Sequence, residues 1–221
     1  MLYSYCLRVD DGAAPNPFWG VCTLVICKPA IRRVARPGDW VVGLGSAASP
    51  IGDLSGQVVY AMRVSESMPL DEYDSYCQEH LRAKVPRWDS REFKKRVGDC
   101  IYDFSSGAVP KVRRSVHNEH NRDVDLRGKN ALLSDHFFYF GNHPRLLPER
   151  LSPIVHQTQG HKSRANAEYA DAFVAWLEGL GLKPGNLYGV PQHRHLIMTD
   201  PEAAEGCRAK DLEEDRDDEI C

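Results

Sequence analysis

The chain has 221 residues, of which 42% are hydrophobic and 27% are charged, an ordinary composition for a globular protein. No run of 18 apolar residues occurs, which argues against a membrane-spanning helix, and the first residues lack the basic start and apolar core of a signal peptide. We therefore expect a cytoplasmic protein without a membrane partner.

Charge and cysteine content also limit the possibilities. Residues 200–221 carry ten acidic and three basic side chains, although the whole chain has a formal net charge of only −3. This predicts a single α+β domain over 1–199, followed by a solvated acidic tail at 200–221. A tail that competes with nucleic acid for a basic face is the alternative. The seven cysteines include no C-x-x-C pair, so we expect reduced thiols, with Cys6, Cys22 and Cys27 as small hydrophobic residues of strands.

The predicted elements follow from apolar periodicity and from Gly, Pro, Asn and Asp punctuation. Residues 10–20 and 112–127 are predicted to be polar loops, and a short strand is predicted near 100–102. The clearest helix is 163–180, where alanine and aromatic residues recur at three- and four-residue spacing. Shorter helices are predicted at 30–36 and 71–80, and the main strands at 2–9, 21–27, 40–44, 57–65 and 130–139.

The most informative stretch is 37–68, in which two strands flank a Gly-rich loop at 45–56. The second strand is apolar on nearly both faces, which predicts a central and buried position. The order of a basic helix, a Pro-Gly-Asp-aromatic strand, a loop and a Val-rich strand resembles the PUA-like β-barrels, which include the EVE, ASCH and YTH domains. That resemblance implies one curved α+β sheet or barrel with peripheral helices, helix 163–180 on its outside, and a nucleobase pocket at its mouth.

Several longer blocks make a second resemblance more specific. They are A-P-N-P-F at 14–18, C-K-P-x-I-R-R at 27–33, G-D-W-V-x-G at 38–43 and L-L-S-D-H-F-x-Y-F-G at 132–141. Over about residues 1–163 the chain resembles the nucleotide modification associated domain proteins of type 2. That family is named for genomic neighbours that modify DNA bases in phages and bacteria. The resemblance implies a nucleotide or nucleic acid with a modified base as partner, and other DNA-modification proteins as further candidate partners, but it assigns no residue roles.

A nucleobase pocket needs an aromatic wall, an amide that reads a base edge and a cation for phosphate. An aromatic side chain in a Pro- and Gly-rich loop is not readily explained by core packing. We expect Trp19 and Trp40 to form two walls of one concavity, with Lys28 or Arg32 at its rim. The full set of predicted ligand-binding residues is Asn16, Phe18, Trp19, Lys28, Arg32, Trp40 and Tyr139.

An enzyme remains the alternative to a binding module. His117 is a candidate general base, because histidine titrates near neutral pH, and its candidate partners are Asp99, Tyr102 and Ser115. The basic stretch 82–96 contains Trp88 and Phe93, a mixture typical of nucleic-acid-binding surfaces and also of solvated helices. The H-x-x-H and H-x-H pairs lack a third ligand, and no phosphate-binding glycine motif occurs, so we predict no metal and no cofactor.

Two functional hypotheses from different classes follow. The first is a module that recognises a modified nucleobase or nucleotide in a DNA-modification or phage–host defence setting, with His117 lining the same concavity as the aromatic walls. The second is an enzyme that acts on a nucleobase or nucleotide by hydrolysis or group transfer. A scaffold that uses the acidic tail as a handle is a third possibility.

Overall fold

The computed structural model describes residues 1–156 and 160–199, so the predicted acidic tail lies outside the described residues. The helices are α1 (Pro29–Val34), α2 (Leu70–Glu79), α3 (Phe93–Arg96), α4 (Arg122–Arg127), α5 (Ala170–Glu178) and α6 (Arg194–Thr199). The strands are β1 (Leu2–Leu7), β2 (Cys22–Leu24), β3 (Trp40–Gly45), β4 (Gln57–Arg63), β5 (Glu66–Pro69), β6 (Tyr102–Asp103), β7 (Lys111–Val112), β8 (Asn130–Ser134), β9 (His136–Tyr139), β10 (Arg145–Leu146) and β11 (Asn186–Leu187).

The larger sheet has the strand order β1-β3-β4-β9-β11, and β10 pairs with the start of β4. β1 runs parallel to β3, β11 runs parallel to β9, and the β3–β4 and β4–β9 pairs are antiparallel. β4 lies in the middle of this mixed sheet, and its residues 58–62 are fully enclosed. The central, buried position predicted for this strand is therefore confirmed.

A second sheet of three strands has the order β2-β8-β5, so the prediction that all main strands share one sheet is wrong. The predicted strand at 130–139 divides at Asp135: β8 belongs to the second sheet and β9 to the first. At this corner the single Ser134 hydroxyl hydrogen is shared between the carbonyls of Arg63 (2.6 Å) and His136 (2.9 Å). The α+β class is confirmed, but the described residues form no closed barrel and the PUA-like curvature is not confirmed.

The larger sheet separates two hydrophobic cores. Tyr5 and Tyr60 project from one face towards loop 10–18 and β2, whereas Trp40 and Phe138 project from the other face towards Phe173 of α5. The helix predicted at 163–180 is present in shorter form, as a 3₁₀ segment (Arg164–Tyr169) followed by α5 on the outside of the sheet. Because strand residues alternate between faces, neighbouring side chains of one strand enter different cores.

Two predicted loops have more structure than their composition suggested. Loop 10–20 enters the protein interior: residues 10–18 are all buried, and Asn16 and Thr23 exchange two backbone hydrogen bonds of 2.8 and 2.9 Å. The predicted loop at 112–127 contains α4, which packs against α1. No helix in the described part of the chain has the length and apolar character needed to span a membrane.

Candidate active site

Cys27 lies in the turn that connects the apolar run after β2 to helix α1. Pro29 is the first residue of that helix, where its fixed backbone angle is favourable. Cys27 (φ 60°) and Lys28 (φ 43°) both adopt the left-handed conformation. Residues with a side chain rarely do so, and each such residue costs about 1 kcal/mol or more, so strain of this kind concentrates at functional sites. Cys27 is partly exposed in this turn, at the edge of the core.

His117 and Asp125 complete a linear series with this thiol. Sγ of Cys27 lies 3.5 Å from Nε2 of His117, and Nδ1 of His117 lies 2.6 Å from Oδ2 of Asp125. The side chains of His117 and Asp125 are 5% and 1% exposed, so the partly exposed residue of the series is Cys27. A nucleophile within reach of a base, with the base oriented by a third group, is the general signature of nucleophilic catalysis.

Both carboxylate oxygens of Asp125 are used. Oδ2 also accepts a hydrogen bond from the Tyr102 hydroxyl (2.7 Å), and Oδ1 accepts one from the backbone N–H of Cys27 (2.8 Å). One carboxylate therefore orients the imidazole and also fixes the backbone that carries the thiol. Because Asp125 lies on α4, the packing of that helix against α1 determines this geometry.

The Arg32 guanidinium is buried behind the same turn. It donates to the backbone carbonyls of Cys27 (2.7 Å), Asn130 (3.0 Å) and Asp125. Gly128 leaves the room it needs, since a Cβ there would lie 2.3 Å from Cζ of Arg32. Arg32 was predicted to bind a ligand at a pocket rim; it is enclosed instead, because α4 and β8 cover it, and it supports the Cys27 turn.

The charges around His117 favour its protonated form. Burial alone lowers the pKa of His117, but Asp125 on one ring nitrogen and Cys27 on the other raise it, and the pKa lies well above its usual value. Burial alone raises the pKa of Asp125, but His117 and then Arg32 and Tyr102 outweigh this, and the pKa lies below its usual value. An imidazolium beside a thiol stabilises the thiolate, which is the nucleophilic form of cysteine.

The surroundings of the thiol combine tyrosines and a cation. The Tyr5 and Tyr60 hydroxyls are 2.8 Å apart, and the Lys28 ammonium lies 5.3 Å from the centre of the Tyr5 ring. Burial lowers the pKa of His161, and the charges of Lys28 and His156 lower it further. Of the two predicted ligand-binding cations, Lys28 is partly exposed, whereas Arg32 is enclosed.

Of the four predicted catalytic residues, the structure joins two. His117 and Tyr102 share Asp125, as described above. Asp99 instead belongs to a separate buried cluster, where it accepts hydrogen bonds from Thr23 and from Tyr73 (2.9 Å). The Ser115 hydroxyl donates to the carbonyl of Gly98 (3.2 Å) and has no role in the series.

The separate cluster explains why loop 10–18 is buried. The Lys84 ammonium is fully enclosed and donates to the carbonyl oxygens of Asn16 (2.8 Å) and Val21 (2.7 Å), to the Asn16 side chain (2.8 Å) and to the Thr23 hydroxyl (2.9 Å). Burial lowers the pKa of Lys84 and raises that of Asp99, while their mutual attraction opposes both effects. The Asn16 amide oxygen accepts from Lys84 and its amide nitrogen donates to the carbonyl of Val97 (2.8 Å), so this buried amide is not available to read a base.

The remaining predicted ligand-binding residues do not form one pocket. Phe18 is 2% exposed and packs edge-to-face on Phe93, and the Tyr139 hydroxyl donates to Asp10. Trp40 packs against α5 on the opposite face of the larger sheet from Phe18. The predicted concavity with Trp19 and Trp40 as facing walls is therefore not formed, although Trp19 itself is 37% exposed.

Sequence reasoning overlooked Cys27 and Asp125. Cys27 was interpreted as a core residue because it ends an apolar run, and Asp125 lay in a segment interpreted as a loop. The available signal was the local order of an apolar run, Cys-Lys-Pro and a helix, which indicates a strand-to-helix turn with a cysteine at its apex. Among residues 1–156 and 160–199, no group of three His, Cys, Asp or Glu side chains is arranged to hold a metal ion.

A known protein family matches most of the chain. The family model described as nucleotide modification associated domain 2 matches residues 1–197, a range that includes Cys27, His117 and Asp125. No curated protein and no solved structure matches the chain.

Proposed function

The chain belongs to the nucleotide modification associated domain 2 family, and we propose that it is an enzyme of nucleotide modification that uses Cys27 as the nucleophile of an acyl transfer. The observation that carries the proposal is the contact series from Cys27 Sγ through the His117 ring to the Asp125 carboxylate. The substrate class is an amide or ester whose acyl group is joined to, or destined for, a modified nucleotide. This enzyme hypothesis takes precedence over a pure binding module because binding alone does not require a thiol–imidazole–carboxylate series.

The first half-reaction forms a thioester. The resting pair is the Cys27 thiolate beside the His117 imidazolium, and Sγ of Cys27 attacks the acyl carbon, which becomes tetrahedral. The C–N or C–O bond then breaks, and His117 returns its proton to the leaving amine or alcohol. At the end of this half-reaction Cys27 carries the acyl group and His117 is neutral.

The second half-reaction releases the acyl group. Water or an amine donates a proton to Nε2 of His117 as it attacks the thioester carbon, and the C–S bond breaks to regenerate the thiolate beside the imidazolium. Asp125 stabilises the imidazolium in both halves without taking its proton. Water as the attacking group gives hydrolysis, and an amine on a nucleobase or side chain gives transfer.

A purely structural explanation of the series accounts for less. Buried hydrogen-bonded histidines are common, but a structural histidine does not require strain in the backbone of the residue that it contacts. Here Cys27 and Lys28 are held left-handed by the Arg32 contact to the Cys27 carbonyl and by the Asp125 contact to the Cys27 amide. Strain that is maintained by surrounding contacts, next to a partly exposed thiol, supports a reactive role.

Lys28 supplies a cation on the open side of this site. A nucleotide substrate carries phosphate, so we propose that Lys28 contacts an anionic group of the substrate. This retains the predicted ligand-binding role for Lys28, whereas Arg32 acts as a positioning residue.

The test is the reactivity of Cys27 with iodoacetamide at pH 6.5, followed by peptide mass spectrometry. In the wild-type protein Cys27 should react much faster than Cys6, the other partly buried cysteine of the described chain. In the His117→Ala variant the rate at Cys27 should fall about 10-fold or more, since an ordinary thiol is only about 1% ionised at that pH, and the rate at Cys6 should not change.

A second measurement separates the two functional classes. A p-nitrophenyl ester should leave an acyl group on Cys27, and the Cys27→Ala variant should remain unlabelled at that peptide. If Cys27 reacts as an ordinary thiol and takes up no acyl group, while nucleotides still raise the melting temperature, the enzyme hypothesis fails and the binding module is supported.

A further inference from the structure

A second feature of the molecule is a basic surface around helix α3, hereafter the α3 surface. It is formed by three segments: residues 87–96, Arg114 and the first residue of α6. It combines two acidic side chains, Asp89 and Glu92, with seven basic ones: Arg87, Arg91, Lys94, Lys95, Arg96, Arg114 and Arg194. We propose that the α3 surface binds the phosphodiester backbone of a nucleic acid.

Aromatic side chains beneath the surface hold three of these cations in place. Lys94 Nζ lies 5.4 Å from the ring centre of Phe18, and Arg194 Cζ lies 5.6 Å from that of Phe93. Arg114 Cζ lies 5.9 Å from the ring centre of Trp88. Because their side chains already rest on rings, these cations lose less conformational entropy when they bind an anion.

The surface is one continuous unit because α6 is attached to α3. The Arg96 guanidinium donates to the carbonyl of Ser90 (2.6 Å) and to that of Ile197 (3.1 Å) in α6. Within 87–96, Lys95 is paired with Glu92 at 2.5 Å. Within the described part of the chain, no other basic residue of the α3 surface forms an ion pair, which leaves an excess of positive charge for an external polyanion.

The chemistry of the surface favours a polynucleotide over an anionic membrane. Stable membrane association usually combines basic side chains with an inserted apolar group or lipid anchor, but Phe18, Trp88 and Phe93 are buried beneath the cations. A depression lined by Arg87, Trp88, Asp89, Ser90 and Lys95 adds hydroxyl and carboxylate groups among the cations. Trp19, directly after Phe18 in the chain, is 37% exposed and can stack on a base at the edge of the surface.

The position of the surface relative to Cys27 indicates the form of the substrate. Arg114 precedes His117 by three residues, so their Cα atoms are separated by at most about 11 Å. A strand bound at Arg114 therefore passes within a few nucleotides of the thiol. Resting on the proposed function, this identifies the substrate as a modified nucleotide within a polymer.

The test is fluorescence anisotropy with labelled single-stranded and duplex 20-nucleotide DNA between 50 and 200 mM salt. The Lys94→Gln, Arg114→Gln double variant should bind about 10-fold more weakly, and the slope of log affinity against log salt should fall by about 2. Arg150→Gln, Lys183→Gln is the matched control, because both residues are exposed and lie outside the α3 surface. Arg91→Gln is a second variant, at a side chain that makes no described contact with the core.

Three outcomes would overturn the proposal: no DNA binding at 50 mM salt, equal weakening by the control variant, or binding to phosphatidylserine vesicles without binding to DNA. The Cys27 reactivity assay keeps the two proposals distinguishable. A wild-type protein that binds DNA through the α3 surface but whose Cys27 reacts as an ordinary thiol would contradict the proposed function and leave this inference intact.

Discussion

The pKa values of two buried aspartates, Asp125 and Asp10, are shifted in opposite directions because their neighbours differ. Asp125 faces His117 and Arg32, which outweigh the effect of burial and hold its pKa below the usual value. Asp10 receives hydrogen bonds from uncharged donors, the Tyr139 hydroxyl (2.5 Å) and the backbone N–H of Gln192 (3.2 Å). Burial therefore dominates at Asp10 and raises its pKa to about 6. The first carboxylate is suited to a charged role, and the second is a source of pH-dependent stability.

The Asp10→Asn variant tests this difference. A carboxyl whose folded-state pKa is raised stabilises the fold below its usual pKa, and that contribution is lost as the pH rises through about 6. Wild type should therefore lose stability between pH 5 and pH 8 relative to the variant. In urea titrations, the free energy of unfolding of the variant minus that of wild type should be about 1–2 kcal/mol larger at pH 8 than at pH 5. Asp171→Asn, at an exposed carboxylate, controls for the loss of one charge. An Asp10→Asn effect of equal size at both pH values would contradict the assignment.

At the scale of elements, the contact between α1 and α4 matters most for the site. Arg32 of α1 reaches the carbonyls at and near α4, and Gly128 directly after α4 leaves space for the guanidinium. The backbone of Gly128 has ordinary helical angles, so alanine there is excluded by Arg32 rather than by the backbone. The left-handed backbone at Cys27 thus depends on a glycine, Gly128, that lies about 100 residues away in the chain.

Gly128→Ala should displace Arg32, lower the free energy of unfolding by about 1–3 kcal/mol and slow the alkylation of Cys27. The matched control is the same change in an Arg32→Ala background, where the clash is absent. There Gly128→Ala should cost less than about 0.5 kcal/mol. Equal costs in the two backgrounds, measured by thermal and urea unfolding, would show that Gly128 has another role.

Sequence patterns predicted single elements better than the way they combine. The apolar runs located β1, β3 and β4, and turn residues bounded α1 and α2 correctly. No local pattern marks the corner at Asp135, because the contacts there join the Ser134 hydroxyl to the carbonyl of Arg63, which is 71 residues away in the chain. The burial of loop 10–18 was also missed, since it depends on Lys84, a distant residue of a type that is normally exposed.

At the scale of the whole molecule, the main feature is the uneven distribution of charge between the basic α3 surface and the acidic residues at 206–221. Residues 206–221 carry seven acidic and three basic side chains, and they follow α6, whose first residue belongs to the α3 surface. Deleting 206–221 should leave the melting temperature nearly unchanged, because the segment has little apolar surface to bury. DNA affinity should rise a few-fold at 50 mM salt and change less at 200 mM, where screening is stronger. A large drop in melting temperature would instead mean that the segment is docked.

The sequence indicated only part of the candidate site, because the contacts of this site join distant parts of the chain. Residue type identified His117 and Tyr102 as candidates, but two of the candidate partners, Asp99 and Ser115, make their contacts elsewhere, because such contacts are tertiary. Cys27 and His117 are 90 residues apart in the chain, and they meet only because α4 packs on α1. Residue type indicates which groups can react, whereas the fold determines which of them come into contact.

The double use of the Asp125 carboxylate has an evolutionary consequence. Its two oxygens hold the imidazole and the thiol-bearing backbone at once, and glutamate, longer by one methylene group, would disturb both contacts together. Glutamate is therefore not a conservative replacement at this position, and under the proposed function a lineage that loses Asp125 is released from selection on Cys27 and His117 as well. Family members should accordingly fall into two groups, those with all three residues and those in which all three have drifted, and the second group would be the natural source of descendants that bind without reacting.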